Sequence, residues 1–466
     1  MPEPSVTQFD RRGWRLLSIA ALPLAALSLA IAQIVAFHRV RSDDAYITYR
    51  YGQNIANGLG PVFNPGEHVQ GSTSPGHTLL AALVYAFAGM AHTPGIMAAI
   101  GCGAWTLESV AVYLLLRDAL GALAAGLIAL AIGLGASGGA AWVPLDTHFA
   151  VALTALGFAA AQRRLWSLAA ISCGLAIWAR PDAAIAALCV LAACLWDLRW
   201  RALRPIGLCA VIALPWPIFA GVYYGSPIPQ TAISKFHRVA FSDYLAHELS
   251  YPSARLFWSA PAWLVTSVGL IMFVIGAGRL IHRDARLAPF IAYGVLHAIA
   301  YSWLRPFIQH GWHLYPWTFV FCVGVLASVA PIRRAGPVPI AQAIALTALL
   351  VTAAVRGATD CRTLDRGYWT GQRDAVYRRI ADYLRANAEP GVWFASVEVG
   401  TIAYFSGLPA YDLGGLVTRS DDAIGDHPVR FIVVDKAYRQ LAPPTPPVFE
   451  AREGQFMADV FAPRRR

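Results

Sequence analysis

Long apolar segments without charges constrain this chain more than any other feature of its sequence. The segment from Leu16 to Phe37 holds 22 residues and no charged side chain, which is about the length that crosses the hydrocarbon core of a bilayer. Similar apolar segments recur up to about residue 356. Only 14% of the residues are charged, whereas a soluble domain carries about 25%. The sequence therefore predicts a mainly α-helical protein that crosses the membrane many times.

The apolar segments predict about eleven transmembrane helices, and one further segment is ambiguous. The helices are expected over residues 14–37, 95–116, 119–139, 147–161, 167–179, 182–197, 205–223, 260–281, 288–304, 312–330 and 338–356. Residues 76–91 are also apolar enough to cross the bilayer, but this segment is short.

The positions of the arginines decide between two topologies. Where 76–91 stays on or dips into the outer face, the cytoplasmic loops hold Arg117, Arg163, Arg164, Arg199, Arg201, Arg204, Arg279, Arg283, Arg286, Arg333 and Arg334. The short outer loops then hold Arg180, Lys235, Arg238, Arg255 and Arg305. If 76–91 crosses the bilayer, this distribution inverts, against the tendency of basic residues to stay in the cytoplasm. We therefore expect a multi-pass protein of the plasma (inner) membrane with its N-terminus inside and its C-terminus outside; labelling of residue 360 from the cytoplasm would contradict this.

The chain is expected to divide into two domains. Residues 1–356 are expected to form a multi-span transmembrane domain, and its first outer loop, residues 39–75, carries the predicted active site. Residues 357–466 are more polar and predict a small extracytoplasmic α/β domain. Its predicted elements are a helix at Arg373–Asn387 and strands at Val392–Val397 and Phe431–Val434.

Composition and motifs disfavour several classes of function. The net charge of +10 comes from 37 basic residues, but most arginines lie in short loops between apolar segments, where they set topology. No GxxxxGK[ST] or GxGxxG motif for nucleotide phosphates occurs. The seven cysteines form no CxxC or Cys/His cluster, so neither a disulfide framework nor a metal-thiolate site is predicted. We expect neither a nucleic-acid partner nor nucleotide chemistry.

Two adjacent carboxylates, Asp43 and Asp44, follow the first apolar segment and are the candidate catalytic residues. Ionisable groups at the membrane edge are costly unless they are solvated or used. They can also serve as helix caps, with a carboxylate stabilised by the helix dipole. Adjacent residues of a helix point about 100° apart. We therefore expect one aspartate to face a substrate and the other to hold the loop in place.

Further polar side chains of the outer loops form two candidate sets. The cations suited to a donor phosphate are Lys235, Arg238, Arg180 and Arg305. The candidate substrate-binding side chains are Arg50, Asn64, Glu67, His77, Asp146, His148 and His313. Each also has a simpler interpretation as a solvated loop residue, a helix terminus or a cation that reaches lipid headgroups. Carboxylates with His68 or His77 could bind a divalent metal ion, but their spacing matches no metal motif, so no metal ligand is assigned and metal dependence stays open.

One reaction class suits carboxylates from one outer loop combined with cations from the others. A sugar linked to a polyprenyl phosphate has its lipid tail in the bilayer and its sugar outside. A hydroxyl acceptor is a weak nucleophile and needs a general base, which one aspartate can supply. Positioned arginine and lysine stabilise the charge that develops on the departing phosphate. A single displacement inverts the anomeric carbon and needs no second carboxylate as nucleophile.

The run DDAYITYRYGQNIANGLGPVFNPGEHVQGSTSP resembles the first periplasmic loop of the GT-C superfamily of membrane glycosyltransferases. It is most similar to the branch with the mycobacterial terminal β-arabinofuranosyltransferase and its bacterial relatives. The similarity continues through WVPLDTH, WARPD, PIPQTAISKF, GWHLYP, VEVGTIAYFSG and YDLGGL, so it covers most of the chain. The resemblance implies a polyprenyl-phosphate-sugar donor, an inverting transfer and a cell-envelope glycan or glycolipid acceptor. It places the catalytic aspartate on Asp43 or Asp44, with Asp44 favoured, and the family's lysine on Lys235.

The chain departs from the pattern of this family in three motifs. It has GEHVQ at 66–70 where GERVE is expected, TSPGH at 73–77 where TSPLW is expected, and Pro-Gln-Thr at 229–231 where Pro-Asn-Thr is expected. These departures bear on the donor sugar and the acceptor more than on the reaction class.

Two other functions are compatible with many transmembrane helices and outer cations. A transporter or flippase of lipid-linked sugars would show inverted repeats or helices broken in mid-membrane, whereas no internal repeat occurs and the polar groups gather on one side. A non-catalytic envelope-assembly protein would not need the aspartate pair. The sequence therefore favours the enzyme.

Overall fold

A computed structural model of the protein describes residues 8–236, 239–257, 262–306, 311–330, 340–364, 366–419 and 421–462. The α-helices in these ranges are α1 (Gln8–Phe37), α2 (Asp43–Ala56), α3 (Pro75–Leu120), α4 (Ala122–Gly133), α5 (Thr147–Gln162), α6 (Trp166–Ala179), α7 (Ala184–Leu198), α8 (Leu203–Ala213), α9 (Pro215–Tyr223), α10 (Gln230–Lys235), α11 (Phe241–Leu256), α12 (Ala262–Arg283), α13 (Ala288–Leu304), α14 (Tyr315–Val329), α15 (Ile340–Thr363), α16 (Arg373–Asn387) and α17 (Gly400–Ser406). The strands are β1 (Trp393–Ser396), β2 (Ala410–Asp412), β3 (Val429–Asp435), β4 (Phe449–Glu453) and β5 (Phe456–Phe461).

The apolar helices follow the predicted transmembrane segments. Five helical stretches in the described ranges are long and apolar enough to cross a membrane, and α4, α5, α6, α14 and part of α1 are shorter apolar helices. Each predicted segment lies on at least one helix, which confirms the expectation of a mainly α-helical polytopic protein. The segment 205–223 is divided into α8 and α9, because Pro215 lacks the amide hydrogen that would continue α8.

The ambiguous segment 76–91 is a helical arm that is separated from the transmembrane helix after it. Gly89 adopts φ 71° and ψ 177°, a conformation that glycine tolerates and that interrupts α3. Residues 75–88 therefore form a first arm, and residues 90–120 form a second helical segment beyond the kink.

This first arm of α3 has two different faces. One face packs so closely on α2 that a Cβ at Gly52 would lie 2.7 Å from the amide nitrogen of Ala82. The opposite face exposes Leu79, Leu83 and Phe87. An arm with one packed face and one exposed apolar face suits a helix that lies in a membrane interface. The side of the membrane on which it lies stays a prediction.

Helix α14 is buried along nearly its whole length in the core of the transmembrane domain. Its neighbour α12 approaches it where two glycines meet, and a Cβ at Gly276 would lie 1.8 Å from the carbonyl oxygen of Gly324. Small residues let helix backbones come close, which is how membrane helices gain packing without a hydrophobic driving force between them.

The C-terminal part forms a small mixed sheet covered by α16 and α17. Helix α15 continues to Thr363, so the predicted division at residue 356 falls within it. The strand order is β2-β1-β3-β5-β4. Strand β1 is parallel to β2 and β3, and β5 is antiparallel to β3 and β4. The predicted helix Arg373–Asn387 is confirmed as α16, and β1 and β3 lie at the predicted strands.

The sheet domain shares one hydrophobic core with the first predicted outer loop. Ile47 and Tyr51 of α2 and Phe63 of the following loop pack with Val376 and Ile380 of α16. The two parts of the chain are therefore packed against each other directly.

Candidate active site

A cavity of about 480 Å³ lies between α2, α10, α13 and the junction of α6 with α7. Its polar wall includes Asp44, Lys235, Asp146, Arg180, Asp182 and His313. Its apolar wall includes Ile177, Trp178, Ala213, Trp216 and Leu304. Polar groups that converge in one otherwise apolar cavity are typical of a small-molecule site.

Asp44 and Lys235 form an ion pair on the wall of this cavity. The Lys235 Nζ donates to the Asp44 Oδ2 at 3.2 Å, and both side chains keep some exposure. Asp44 lies in the first turn of α2 and Lys235 in the last turn of α10, so two helix ends fix the pair. The Lys235 Nζ also lies 5.3 Å from the centroid of the Trp312 ring, within the range of a cation–π contact.

Asp43 points away from the cavity and connects α2 to the C-terminal domain. Its buried carboxylate accepts the backbone N–H groups of Gly400 at 3.0 Å and Thr401 at 2.8 Å, at the start of α17. Position 400 requires glycine, because a Cβ there would lie 2.1 Å from the backbone oxygen of Asp43. The two aspartates thus divide as helical geometry requires, one at the cavity and one in the domain contact.

Asp43→Ala is expected to destabilise the contact between α2 and the C-terminal domain by about 1.5–3 kcal/mol, because two hydrogen bonds to a buried charge are lost and two backbone amides stay unpaired. Thermal unfolding and limited proteolysis in detergent measure the effect. The exposed Asp382→Ala on α16 serves as control, since its carboxylate pairs with Arg385 at the surface. Equal unfolding temperatures of the two variants would contradict this role.

Three sequence motifs meet at Gly71 beside the cavity. The Gly71 N–H donates to the Tyr51 hydroxyl at 2.8 Å, and the Thr231 hydroxyl donates to the Gly71 carbonyl oxygen. From the C-terminal domain, Val417 approaches so closely that a Cβ at Gly71 would lie 2.5 Å from its Cγ1. The loop, the first turn of α10 and the C-terminal domain therefore hold one another in place at this point.

Arg180 is surrounded by carboxylates deeper in the cavity wall. Its guanidinium donates to Asp182 at 2.6 Å and 3.1 Å, and it also contacts Asp146 at 3.4 Å. Tyr301 donates its hydroxyl to the same Asp182 at 2.6 Å. Asp182 and Tyr301 were not among the predicted site residues. An ionisable residue at the end of an apolar segment was the available indication for Asp182, and nothing in the sequence indicated Tyr301.

Three predicted substrate-binding residues lie in the contact between the loop and the C-terminal domain, and the cavity wall among the described residues does not include them. Arg50 is buried and donates to the backbone oxygens of Phe63 and Gly407. Asn64 exchanges two hydrogen bonds of 2.9 Å with the backbone of Ala410. Glu67 accepts from Asn64 at 2.9 Å. Sequence proximity to the aspartates placed them in the candidate set, whereas the packing of the C-terminal domain uses their polar groups.

Two predicted histidines are buried in helix packing. His77 packs between Tyr49 and Phe149. His148 lies 2.9 Å from Glu108 through Nδ1 and 2.9 Å from the carbonyl oxygen of Gly139 through Nε2. Neither histidine is among the described residues that line the cavity, and their role as substrate ligands stays a prediction.

The remaining predicted cations have different positions. Arg305 follows α13 in the left-handed conformation with φ 47°, and it is not among the described residues that line the cavity. Arg238 lies outside the described residues. Of the proposed phosphate cations, Lys235 and Arg180 line the cavity.

The C-terminal domain adds an ion pair near the two aspartates. Arg373 of α16 lies 3.0 Å from Glu398, which precedes α17. Burial raises the pKa of Glu398 to about 8, opposed by Arg373 and reinforced by the negative charges of Asp43 and Asp44. The electrostatic field at Asp44 therefore depends on residues more than 300 positions away in the chain.

The metal arrangement considered from the sequence does not occur among the described residues. His68 stacks on Tyr223 with ring centroids 4.1 Å apart, and His77 is enclosed by aromatic rings. Neither histidine forms a group with Asp43 or Asp44 that could hold an ion.

Comparison with known proteins addresses the fold. Residues 366–458 match a family described as Domain of unknown function (DUF8728). No curated protein sequence matches the chain. Solved structures resemble it at low sequence identity.

Two structures come from ArnT of Cupriavidus metallidurans. The form bound to undecaprenyl phosphate is 14% identical with a TM-score of 0.60, and it covers 96% of this chain and 98% of ArnT. The apo form is 16% identical with a TM-score of 0.64, and it covers 97% and 98%. The archaeal oligosaccharyltransferase AglB from Archaeoglobus fulgidus, in complex with an inhibitory peptide and a dolichol-phosphate, is 11% identical with a TM-score of 0.62 and covers 90% and 70%. The protein therefore has the GT-C fold: a polytopic helical domain with a small C-terminal sheet domain.

Proposed function

We propose that the protein is a membrane glycosyltransferase that transfers a sugar from a polyprenyl-phosphate donor to a glycan or glycolipid acceptor of the cell envelope. The observation that carries this proposal is the Asp44–Lys235 pair, 3.2 Å apart, at the polar wall of a cavity whose other wall is apolar. A sugar linked to a polyprenyl phosphate likewise has a polar head, the sugar phosphate, and an apolar tail, the polyprenyl chain.

The cavity suits the donor at both ends. Ala213, Trp216 and Leu304 offer apolar surface to the first isoprene units. Lys235 is in place to stabilise the phosphate, and Arg180 stands near it although Asp182 and Asp146 share its guanidinium. Relatives in fold bind lipid phosphates of this kind, since ArnT was solved with undecaprenyl phosphate and AglB with a dolichol-phosphate.

The proposed mechanism is a single inverting displacement. The Asp44 carboxylate accepts the proton of the acceptor hydroxyl while the oxygen attacks the anomeric carbon. The bond from that carbon to the phosphate oxygen breaks, and the polyprenyl phosphate leaves with the bonding electrons. Lys235 stabilises the added negative charge on this leaving group. Asp43 contributes by holding α2, and with it Asp44, against the C-terminal domain.

The side of the membrane on which the reaction occurs is inferred from the distribution of arginines between the loops. We propose that the cavity opens to the outer side of the plasma (inner) membrane, with the N-terminus in the cytoplasm and the C-terminal domain outside. The sequence motifs resemble those of the branch with the terminal β-arabinofuranosyltransferase, so a furanose such as arabinose is the first donor sugar to test.

Sugar transfer by purified protein tests the proposal. Decaprenyl- and undecaprenyl-phosphate carriers with arabinose and with hexoses are incubated with envelope glycan acceptors, and released polyprenyl phosphate is measured. Transfer from at least one donor, with inversion at the anomeric carbon, is expected. Bound donor lipid with no transfer, together with donor translocation across proteoliposome membranes, would contradict the enzyme and support a flippase.

A further inference from the structure

A second group of polar side chains lies away from the cavity, between the first loop and the C-terminal domain. It consists of Glu67, Asp422 and His427, which are far apart in the sequence. One carboxylate oxygen or ring nitrogen from each lies within 4.8 Å of the others. None of the three is among the described residues that line the cavity.

The histidine of this group is held by ring packing. Its imidazole stacks on Trp393 with centroids 4.2 Å apart, and the side chain is 13% exposed. Its Nδ1 lies 3.8 Å from the Glu67 Oε1, which is too long for a hydrogen bond. Its Nε2 is buried and has no hydrogen-bond partner among the residues that the structure describes. The polar atoms of this ring are thus not satisfied by the surrounding protein.

The carboxylate of Glu67 and the backbone of Asp422 are held by neighbouring polar contacts. The Asn64 Nδ2 donates to the Glu67 Oε2 at 2.9 Å, and Asn64 is itself bound to the backbone of Ala410. The Tyr411 hydroxyl donates to the backbone oxygen of Asp422 at 3.0 Å. Hydrogen bonds that orient ligand side chains are characteristic of metal sites.

We propose that Glu67, Asp422 and His427 bind a divalent zinc ion that connects the first loop to the C-terminal domain. Zinc takes histidine nitrogen and carboxylate oxygen ligands at about 2.0–2.2 Å, so neighbouring ligand atoms lie roughly 3–3.5 Å apart. The ligand atoms lie within 4.8 Å of one another, and His427 Nδ1 and Glu67 Oε1 are 3.8 Å apart, so the side chains move closer together when the ion binds. The mixed donor set favours a transition-metal ion over calcium, which prefers oxygen ligands alone.

The ion would act on the site through the loop. Glu67 is followed within five residues by Gln70, Gly71 and Ser72, which line the cavity. A bound zinc therefore fixes the cavity wall without contact with the reacting atoms, and Glu67, Asp422 and His427 are positioning residues. This proposal is independent of the sugar-transfer reaction.

The test uses zinc alone with full-length protein in detergent. Zinc content after dialysis, zinc affinity by competition with a chromophoric chelator, and unfolding temperature with zinc or with EDTA are measured. The wild type is expected to hold one ion, and zinc is expected to raise its unfolding temperature, because a ligand that binds only the folded state stabilises it. His427→Gln and Asp422→Asn are expected to lower the affinity at least tenfold and to remove this temperature shift.

A matched control replaces a histidine outside the group. His92 is exposed on α3, and His92→Gln is expected to bind zinc as the wild type does. Asp422 lies near the surface, so Asp422→Asn tests the site even where His427→Gln fails to fold. Wild-type protein without stoichiometric zinc, or equal affinity in wild type and both site variants, would overturn the proposal.

Discussion

Asp44→Asn is expected to reduce the rate of sugar transfer by about a hundredfold or more while donor binding stays intact, because the acceptor hydroxyl loses its general base. Asparagine keeps the size of the side chain and its position in the first turn of α2. The loss should appear in kcat, measured by single-turnover release of polyprenyl phosphate, and donor affinity should change little or rise, since Lys235 loses its ion-pair partner.

Two controls distinguish the base from a damaged fold. Asp382→Asn changes an exposed aspartate of α16 and is expected to keep wild-type transfer. Asp43→Asn is expected to lower the unfolding temperature. The rate of transfer by the protein that stays folded is expected to change less. Asp44→Asn activity within threefold of the wild type would exclude Asp44 as the base, and loss of transfer by folded Asp43→Asn alone would move that role to Asp43.

Lys235→Met is expected to lower the transfer rate by about 10²–10³-fold, because one positioned cation no longer stabilises the charge that develops on the departing phosphate. The loss should be larger in kcat than in donor affinity, since the phosphate gains charge in the transition state. Lys235→Arg is expected to recover part of the rate, because it restores the charge with a different shape. Steady-state kinetics with a donor that the wild-type protein uses separate kcat from KM.

The chain supplies its own control for this variant. Lys436 is the other lysine of the protein, and it is exposed on the C-terminal domain. Lys436→Met is expected to leave transfer unchanged. Wild-type kcat in Lys235→Met would show that another cation stabilises the leaving group, and Arg180 on the same cavity wall would be the next residue to test.

The helices were predictable because lipid imposes a strong and local requirement. A backbone in hydrocarbon has to satisfy its own hydrogen bonds, so each long apolar run becomes a helix wherever it packs. The amphipathic pattern of α16 was equally local, and its bounds agree with the prediction. The break at Gly89 was not predictable, since a glycine within an apolar run indicates a kink only when its backbone conformation is known.

The candidate site was predictable in its main elements and not in its detail. Adjacent aspartates on a helix must diverge, so the expectation of one substrate-facing and one structural carboxylate came from the sequence. Which aspartate had which position depended on Gly400 and Thr401, more than 350 residues further along the chain. The same long-range contact explains why Asn64 and Glu67, close to the aspartates in sequence, belong to the domain contact.

The sequence by itself determined that long segments of this protein suit a lipid bilayer, where its helices lie and which residue types are available for chemistry. Hydropathy and helical periodicity act over short distances, so they can be read from the sequence. Only the tertiary structure decided that Asp44 meets Lys235, that Arg180 is shared by Asp182 and Asp146, and that His148 pairs with Glu108. These contacts join residues that are distant in sequence. Their formation depends on how the C-terminal domain and the helices pack, which no local pattern of residues specifies.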